Sequence, residues 1–317
     1  MVTASGDFGD LTLTKDVHDV WSGTTAPLAP AIYRYAFTVD GVRMADPNNP
    51  EIKGTSEFLI TVPGDPAMPW ELRNVPHGHV IQVLYHSQVF NTQRRYFVYT
   101  PPGDESTTDR LLVLYLLHGY TDDESTWTAV GKANLIADNL LADGKITLLL
   151  IVMPYGQLNS RVSDREALAA EFQEQFERQI LTEIIPDVEG TFHAVPDATH
   201  RAMAGVSMGG LQAALIGLNY PETFATIGMW SSAFFGDPSL LLARLVAAPD
   251  DLKHAFRYVH VGVGQHDPLI AGSNTIDRFL TSHNIVHEFT PTAGTHSWVV
   301  WRGYFVDFVS KFSAVAR

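Results

Sequence analysis

Ser207, Asp267 and His296 stand in an order and a spacing that suit nucleophilic catalysis. A serine hydroxyl is a poor nucleophile until a base takes its proton, and a neutral imidazole oriented by a carboxylate is the common solution. Ser207 lies in Gly205-Val-Ser-Met-Gly-Gly210, after an apolar run at 202–206 and before Leu211, Leu215 and Leu218 at helical spacing. Small residues around a serine at a strand-to-helix bend fit a nucleophile elbow, where the backbone is strained and the two elements pack too closely for side chains. Asp267 follows the apolar stretch 258–263, and His296 follows the stretch 286–290. Each residue falls just beyond a predicted strand end. The chemistry this permits is acyl transfer through a covalent acyl-enzyme. Its tetrahedral oxyanion needs two donors: the amide of Met208, after the nucleophile, and the amide of Tyr120, in the loop after the strand at 111–117.

Rival residues have other expected roles. Asp237 follows an earlier strand and is an alternative carboxylate. His266 points away if Asp267 points inward. His118, in Leu116-Leu-His-Gly-Tyr120, is expected to shape the backbone of the oxyanion loop. His77-Gly-His79 suggests a metal but has no third ligand nearby in sequence, so no metal and no cofactor are predicted. Trp127, Trp298 and Trp301 are candidates to line a pocket for an aromatic or sugar group. Trp298 is foremost because it follows His296 so closely.

The elements that must position these residues are legible as a strand and helix alternation. Strands are predicted at 80–86, 95–100, 111–117, 146–153, 202–206, 226–230, 258–263 and 286–290. Helices are predicted around 133–142, 167–185, 211–219, 240–245, 273–283 and 301–314. Such alternation implies a mostly parallel sheet covered on both faces, with the active site beyond the carboxyl ends of its strands. The loop 156–165 is expected to overhang that site. Residues 1–75 read differently, as a small β-module with strands at 8–13, 31–39, 42–44 and 58–62. Tyr33, Tyr35 and Phe37 alternate there, and Asp40-Gly41 is a hairpin turn. Four prolines between 63 and 76 suggest a linker. The predicted domains are therefore 1–75 and 76–317.

The 317 residues, 45% hydrophobic and 18% charged, suffice for a full core. A net charge of -14 argues against nucleic acid or an anionic membrane surface as partner. The absence of cysteine removes thiol nucleophiles and thiolate metal sites. No stretch reaches the roughly 18 uninterrupted apolar residues of a membrane span. Residues 1–10 carry neither a basic start nor an apolar run, and the expectation is a secreted or periplasmic protein with its signal removed.

The run Leu117-His-Gly119, the stretch 133–145, Gly205-Val-Ser-Met-Gly-Gly210, Gly264-Gln-His-Asp267 and Gly294-Thr-His-Ser-Trp-Val-Val-Trp301 together resemble carbohydrate esterase family one. That family includes feruloyl and acetyl xylan esterases and is related to esterase D and the mycolyltransferases. The resemblance covers about residues 80–317. It implies an α/β-hydrolase fold and a serine carboxylesterase acting on feruloyl or acetyl esters of plant cell-wall polysaccharide. A general carboxylesterase or polyester hydrolase, an acyltransferase and a non-catalytic carbohydrate-binding protein are the alternatives. Residues 23–50 are similar to the glycogen-binding-like module of carbohydrate-binding family forty-eight, but the strands expected before Phe8 are missing. The β-sandwich-like module is therefore expected to be a structural companion packed on the catalytic domain. A second copy of the chain, in a homodimer, could cover its remaining edge.

Overall fold

In the run Leu112–Leu117 every side chain is buried, and the same holds for Leu149–Pro154 and Arg201–Val206. Strands apolar on both faces belong in the middle of a sheet covered on both sides. A computed structural model places them there; it describes residues 1–44, 46–53, 57–103, 110–157 and 172–317. The main sheet has eight strands: Glu288–Thr292, Tyr258–Gly264, Thr226–Trp230, Arg201–Val206, Leu112–Leu117, Leu149–Pro154, Thr92–Thr100 and His79–Ser87, in that spatial order. Counted along the chain from His79, the order is 1-2-4-3-5-6-7-8. The first two strands are antiparallel, and the remaining six run parallel to one another.

Because successive strand residues face opposite ways, the sheet divides its apolar side chains between two cores. Leu112, Leu114, Leu116, Ala202, Ala204 and Val206 face one layer, which holds the carboxyl-terminal helix Trp298–Val315. Val113, Tyr115, Leu117 and Met203 face the other, with Leu211, Leu215 and Ile276. The last helix starts at Trp298, three residues before the predicted start, and the last strand lies two residues later than predicted. The predicted helix at 167–185 falls partly outside the described residues, and its described part is helical to Thr191.

The amino-terminal region departs most from expectation. A strand at Val2–Gly6 does precede Phe8 and forms a hairpin with Gly9–Thr12. Together with Ala31–Val39, Val42–Met44, Ile52–Lys53 and Glu57–Val62 it makes one six-stranded antiparallel sheet, beside a two-residue ribbon of Thr14–Lys15 and Trp21–Ser22. No second full sheet exists among the described residues, so the predicted sandwich is replaced by a single layer. Its partner layer is the catalytic region: Ile32 and Leu59 enter the same core as Trp127, Trp298 and Phe305. The buried Arg302 guanidinium pins the junction, donating to the carbonyls of Ile32 (2.9 Å), Val130 (2.8 and 3.1 Å) and Trp298 (3.2 Å).

The proline-rich stretch is no free linker either. Trp70 is buried, Asn139 donates to the carbonyls of Pro69 and Glu71, and Arg73 pairs with Asp143. Prolines signal a lack of backbone donors, which suits a packed strap as well as a tether. No helix among the described residues is long and apolar enough to cross a membrane.

One buried histidine makes stability pH-dependent. His260 accepts a hydrogen bond from Trp230 Nε1 (3.0 Å) at Nδ1, so its proton sits on Nε2 and faces Thr290 Oγ1 (3.2 Å). Burial pushes its pKa down to about 4. The unfolded chain therefore takes up a proton between about pH 6.5 and 4 that the folded chain refuses, and stability falls as pH falls through that window. Urea unfolding at pH 7.5 and 4.5 should show about 2 to 3 kcal/mol less of this loss in His260→Phe than in the parent. Equal losses in the two proteins would refute the assignment.

Candidate active site

Ser207 has φ 57° and ψ −115°, a conformation that costs a non-glycine residue about 1 to 3 kcal/mol. The turn is held from both sides. Ser207 N–H donates to Trp230 O (2.9 Å), Ala233 N–H donates to Ser207 O (3.0 Å), and the helix Met208–Ala213 starts at once. Gly205 and Gly209 are required by contact: a Cβ on Gly205 would lie 2.5 Å from the Gly209 backbone, and one on Gly209 would lie 2.5 Å from Leu117 O. The elbow read from the sequence is thus present in its geometry.

The loops after strands Tyr258–Gly264 and Glu288–Thr292 are laced together. Gln265 N–H donates to Thr292 O (2.7 Å) and His266 N–H to Gly294 O (3.0 Å). This lacing brings Asp267 to His296, whose Nδ1 lies 2.9 Å from Oδ2 and 3.1 Å from Oδ1. A carboxylate only accepts, so Nδ1 carries a proton, and in the neutral ring Nε2 is the nitrogen with a free lone pair. Burial raises the pKa of Asp267, but hydrogen bonds from His296, Ser231 and the Leu269 amide outweigh it and hold the carboxyl below the ordinary range. Asp267 therefore stays ionised. Among the described residues Ser207 Oγ makes no hydrogen bond, and contacts of this kind commonly tighten only when substrate is bound.

The loop expected to supply an oxyanion donor is Leu117-His-Gly-Tyr120. Asp122 N–H donates to Gly119 O (3.2 Å), closing a turn over Tyr120 and Thr121, the latter at φ 71°. A Cβ on Gly119 would stand 3.5 Å from Ser207 Cβ, so this turn borders Ser207. Among the described residues neither the Tyr120 nor the Met208 amide donates a hydrogen bond. His118 plays the expected backbone-shaping part. Gly156 N–H donates to its Nε2 (2.9 Å), which puts the proton on Nδ1, facing Gly119 O (2.8 Å). Burial pushes its pKa down, and the ring stays neutral in this one tautomer. Gln212, on the helix after Ser207, donates to Gly156 O (2.8 Å) and anchors the same loop. The rest of the loop predicted to overhang the site, 158–165, lies outside the described residues.

Two predicted substrate contacts are corrected. Trp127 and Trp298 are each only 1% exposed and stack edge to face with centroids 4.9 Å apart. Trp127 also donates its Nε1–H to Leu117 O (3.0 Å). Because the last helix begins at Trp298, the side chains 298, 301, 302 and 305 share its inward stripe. Both tryptophans are core packed against strand Leu112–Leu117. Trp301 is nearer the chemistry, edge-on to the His296 ring at 4.8 Å, with its Nε1 donating to Ser231 Oγ (2.9 Å).

Ser231 was not singled out in the sequence, although it directly follows strand Thr226–Trp230. It is fully buried, has φ 47°, and links Trp301 to Asp267. The rivals sit elsewhere. Asp237 caps a short helix by accepting from Ser239 N–H (2.8 Å), and His266 is exposed. His77 is held by Asp138 (2.8 Å) and the Arg73 carbonyl (3.1 Å). Asp267→Asn is accordingly expected to lower kcat by about 10⁴-fold, because the amide can favour the wrong imidazole tautomer. Asp237→Asn, still a good helix cap, should leave kcat within about twofold. Steady-state kinetics on a short nitrophenyl ester would check both, and the reverse ranking would reassign the acid.

A strained serine between strand and helix on the carboxyl edge of a 1-2-4-3-5-6-7-8 sheet, with an aspartate–histidine pair in the loops after the last two strands of the same sheet, is the arrangement of a serine hydrolase of the α/β-hydrolase fold. The chain belongs to the putative esterase family, whose model matches residues 87–312. It is 33% identical over 308 residues to an endo-1,4-beta-xylanase/feruloyl esterase of Xylanibacter ruminicola, across 94% of this chain but 40% of that protein's length. In structure it resembles a CE1 ferulic acid esterase of Anaeromyces mucronatus solved with ferulic acid. That match has a TM-score of 0.65 and 18% identity, over 78% of this chain and 95% of the other. The enterobactin esterase of Shigella flexneri matches with a TM-score of 0.71 and 19% identity, over 98% of this chain and 87% of the other. That second match takes in the amino-terminal sheet as well as the catalytic one.

Proposed function

We propose that Ser207, His296 and Asp267 are nucleophile, base and orienting acid of an esterase that removes feruloyl or acetyl groups from plant cell-wall polysaccharide. Ser207 attacks the ester carbonyl as His296 Nε2 takes its proton. The amides of Tyr120 and Met208 stabilise the oxyanion, and the imidazolium protonates the leaving sugar oxygen. Water, activated by the same imidazole, then releases the acid. The observation that carries the substrate class is the 33% identity to a xylanase/feruloyl esterase along 94% of this chain. Methyl ferulate, acetylated xylan and a short nitrophenyl ester, compared by kcat/KM, test it. Feruloyl or acetyl-xylan turnover at least comparable with the nitrophenyl ester supports the reading. Activity on the nitrophenyl ester alone would favour a general carboxylesterase or polyester hydrolase. An added sugar acceptor diverting the acyl group from water would mark an acyltransferase.

The same reading takes 1–75 and 76–317 as the two units, with the first a structural companion of the second. It places the enzyme outside the cytoplasm, where its polymer substrate is, and makes the outer edge of the amino-terminal sheet the contact of a homodimer. Light scattering of the intact chain and of a variant with prolines in strand Gly9–Thr12 tests the last point. A monomer at all concentrations would dismiss it.

A further inference from the structure

The edge of the amino-terminal sheet reaches the oxyanion turn. Lys53, in the edge strand Ile52–Lys53, places its Nζ 2.7 Å from Asp122 Oδ1, and the two side chains are only 14% and 7% exposed. Asp122 is the residue whose N–H closes the turn on Gly119 O, and its own carbonyl accepts from Gln157 Nε2 at 3.4 Å. The position that a Cβ on Gly119 would take is 3.5 Å from Asp122 Oδ2 and 3.5 Å from Ser207 Cβ. A largely buried carboxylate thus stands beside the place where an ester oxygen would become an anion. Unneutralised, it would oppose that charge in a site of low dielectric.

We propose that Lys53 is a positioning residue for ester hydrolysis: through Asp122 it fixes the Gly119–Asp122 turn and cancels a carboxylate that would otherwise repel the oxyanion. This rests on the assignment of Ser207 and the Tyr120 amide made above. The other charges around Lys53 are paired within the amino-terminal sheet, and Arg34 acts on Asp122 only through space, without a contact. Glu57 lies 3.9 Å from Lys53 Nζ and pairs with Arg34 (3.6 Å) and Arg43 (3.2 Å), while Arg34 also holds Asp7 (2.8 Å). Asp123, next in the turn, accepts from Ser125 N–H (2.8 Å) and its hydroxyl (2.6 Å). Lys53 is therefore the cation in contact with Asp122 among the described residues. The amino-terminal sheet then contributes to rate as well as to stability, through one ion pair.

The distinguishing property is that the harm comes from the carboxylate left behind. Lys53→Met should lower kcat and kcat/KM together by about tenfold, less than the 10²- to 10³-fold of losing a whole oxyanion donor. Lys53→Arg should restore most of the rate. In Lys53→Met/Asp122→Asn the offending charge is gone, and kcat should recover by about threefold or more over Lys53→Met alone. A merely structural pair would make the double variant no faster than the single. All are read on a nitrophenyl ester at a temperature where circular dichroism shows each protein folded, with Lys53→Gln in place of Lys53→Met if the latter does not fold. A loss below about fivefold, a change in KM alone, or a double variant no faster than the single would overturn the proposal. Ser207→Ala is run beside them. If it turns over, the hydrolytic reading itself fails, whereas an inactive Ser207→Ala beside a full-rate Lys53→Met removes only the brace.

Discussion

Ser207→Ala is expected to reduce kcat on any ester by about 10⁴-fold or more while the protein stays folded. The hydroxyl is the only group deleted. The elbow that presents it is held by the backbone bonds of Ser207 to Trp230 and Ala233, which alanine retains. Thermal unfolding should therefore be nearly unchanged, because the strained φ of 57° is the same for alanine as for serine. His296→Ala should cost a similar factor, and the double variant should be about as slow as either single, since the members of such a unit act together. What survives is catalysis by binding and by the oxyanion donors. Stopped assays with titrated active sites would measure this, and residual turnover above about 1% of the parent would require a different nucleophile.

The features that sequence made legible are those whose physics is local. A strand buried on both faces must be a short apolar run, and Leu112–Leu117, Leu149–Pro154 and Arg201–Val206 read that way without knowledge of their neighbours. The elbow was readable because close packing excludes side chains at Gly205 and Gly209, and the Asp267–His296 pair because both follow strand ends. Tryptophan carries no such local sign. Trp127 and Trp298 are the same residue type whether in a pocket or a core, and for Trp298 a three-residue error in the helix start hid the inward stripe on which it lies. Ser231 was hidden for a related reason. It acts by joining Trp301 to Asp267, residues 70 and 36 positions away, and neither distance is visible as a pattern. The amino-terminal sheet shows the same limit at larger scale. Its strands were mostly found, but its second layer belongs to a helix near the other end of the chain.

That long-range closure gives the largest expected effect on stability. Arg302 has no exposed surface and donates four hydrogen bonds to three carbonyls, one of them 270 residues away in strand Ala31–Val39. Burial, with no carboxylate among the described residues in hydrogen-bond contact, pushes its pKa down to about 9, so holding the charge there is itself costly. Two effects then oppose each other on substitution. Removing the guanidinium relieves its desolvation, but it strands the Val130 carbonyl, breaks the tie to Ile32 and opens a cavity between two layers. For Arg302→Ala the cavity and the lost bonds should win, with a net loss of about 3 to 5 kcal/mol in unfolding free energy. Arg302→Met refills much of the volume without the charge and should lose clearly less, so the difference between the two separates packing from hydrogen bonding. Because the bond to Ile32 is the long-range one, amide hydrogen exchange in Arg302→Ala should quicken first along Ala31–Val39 and Glu57–Val62, before the central strands of the main sheet. A loss under about 1 kcal/mol, or protection lost evenly across both sheets, would show that apolar contacts alone hold the layers together.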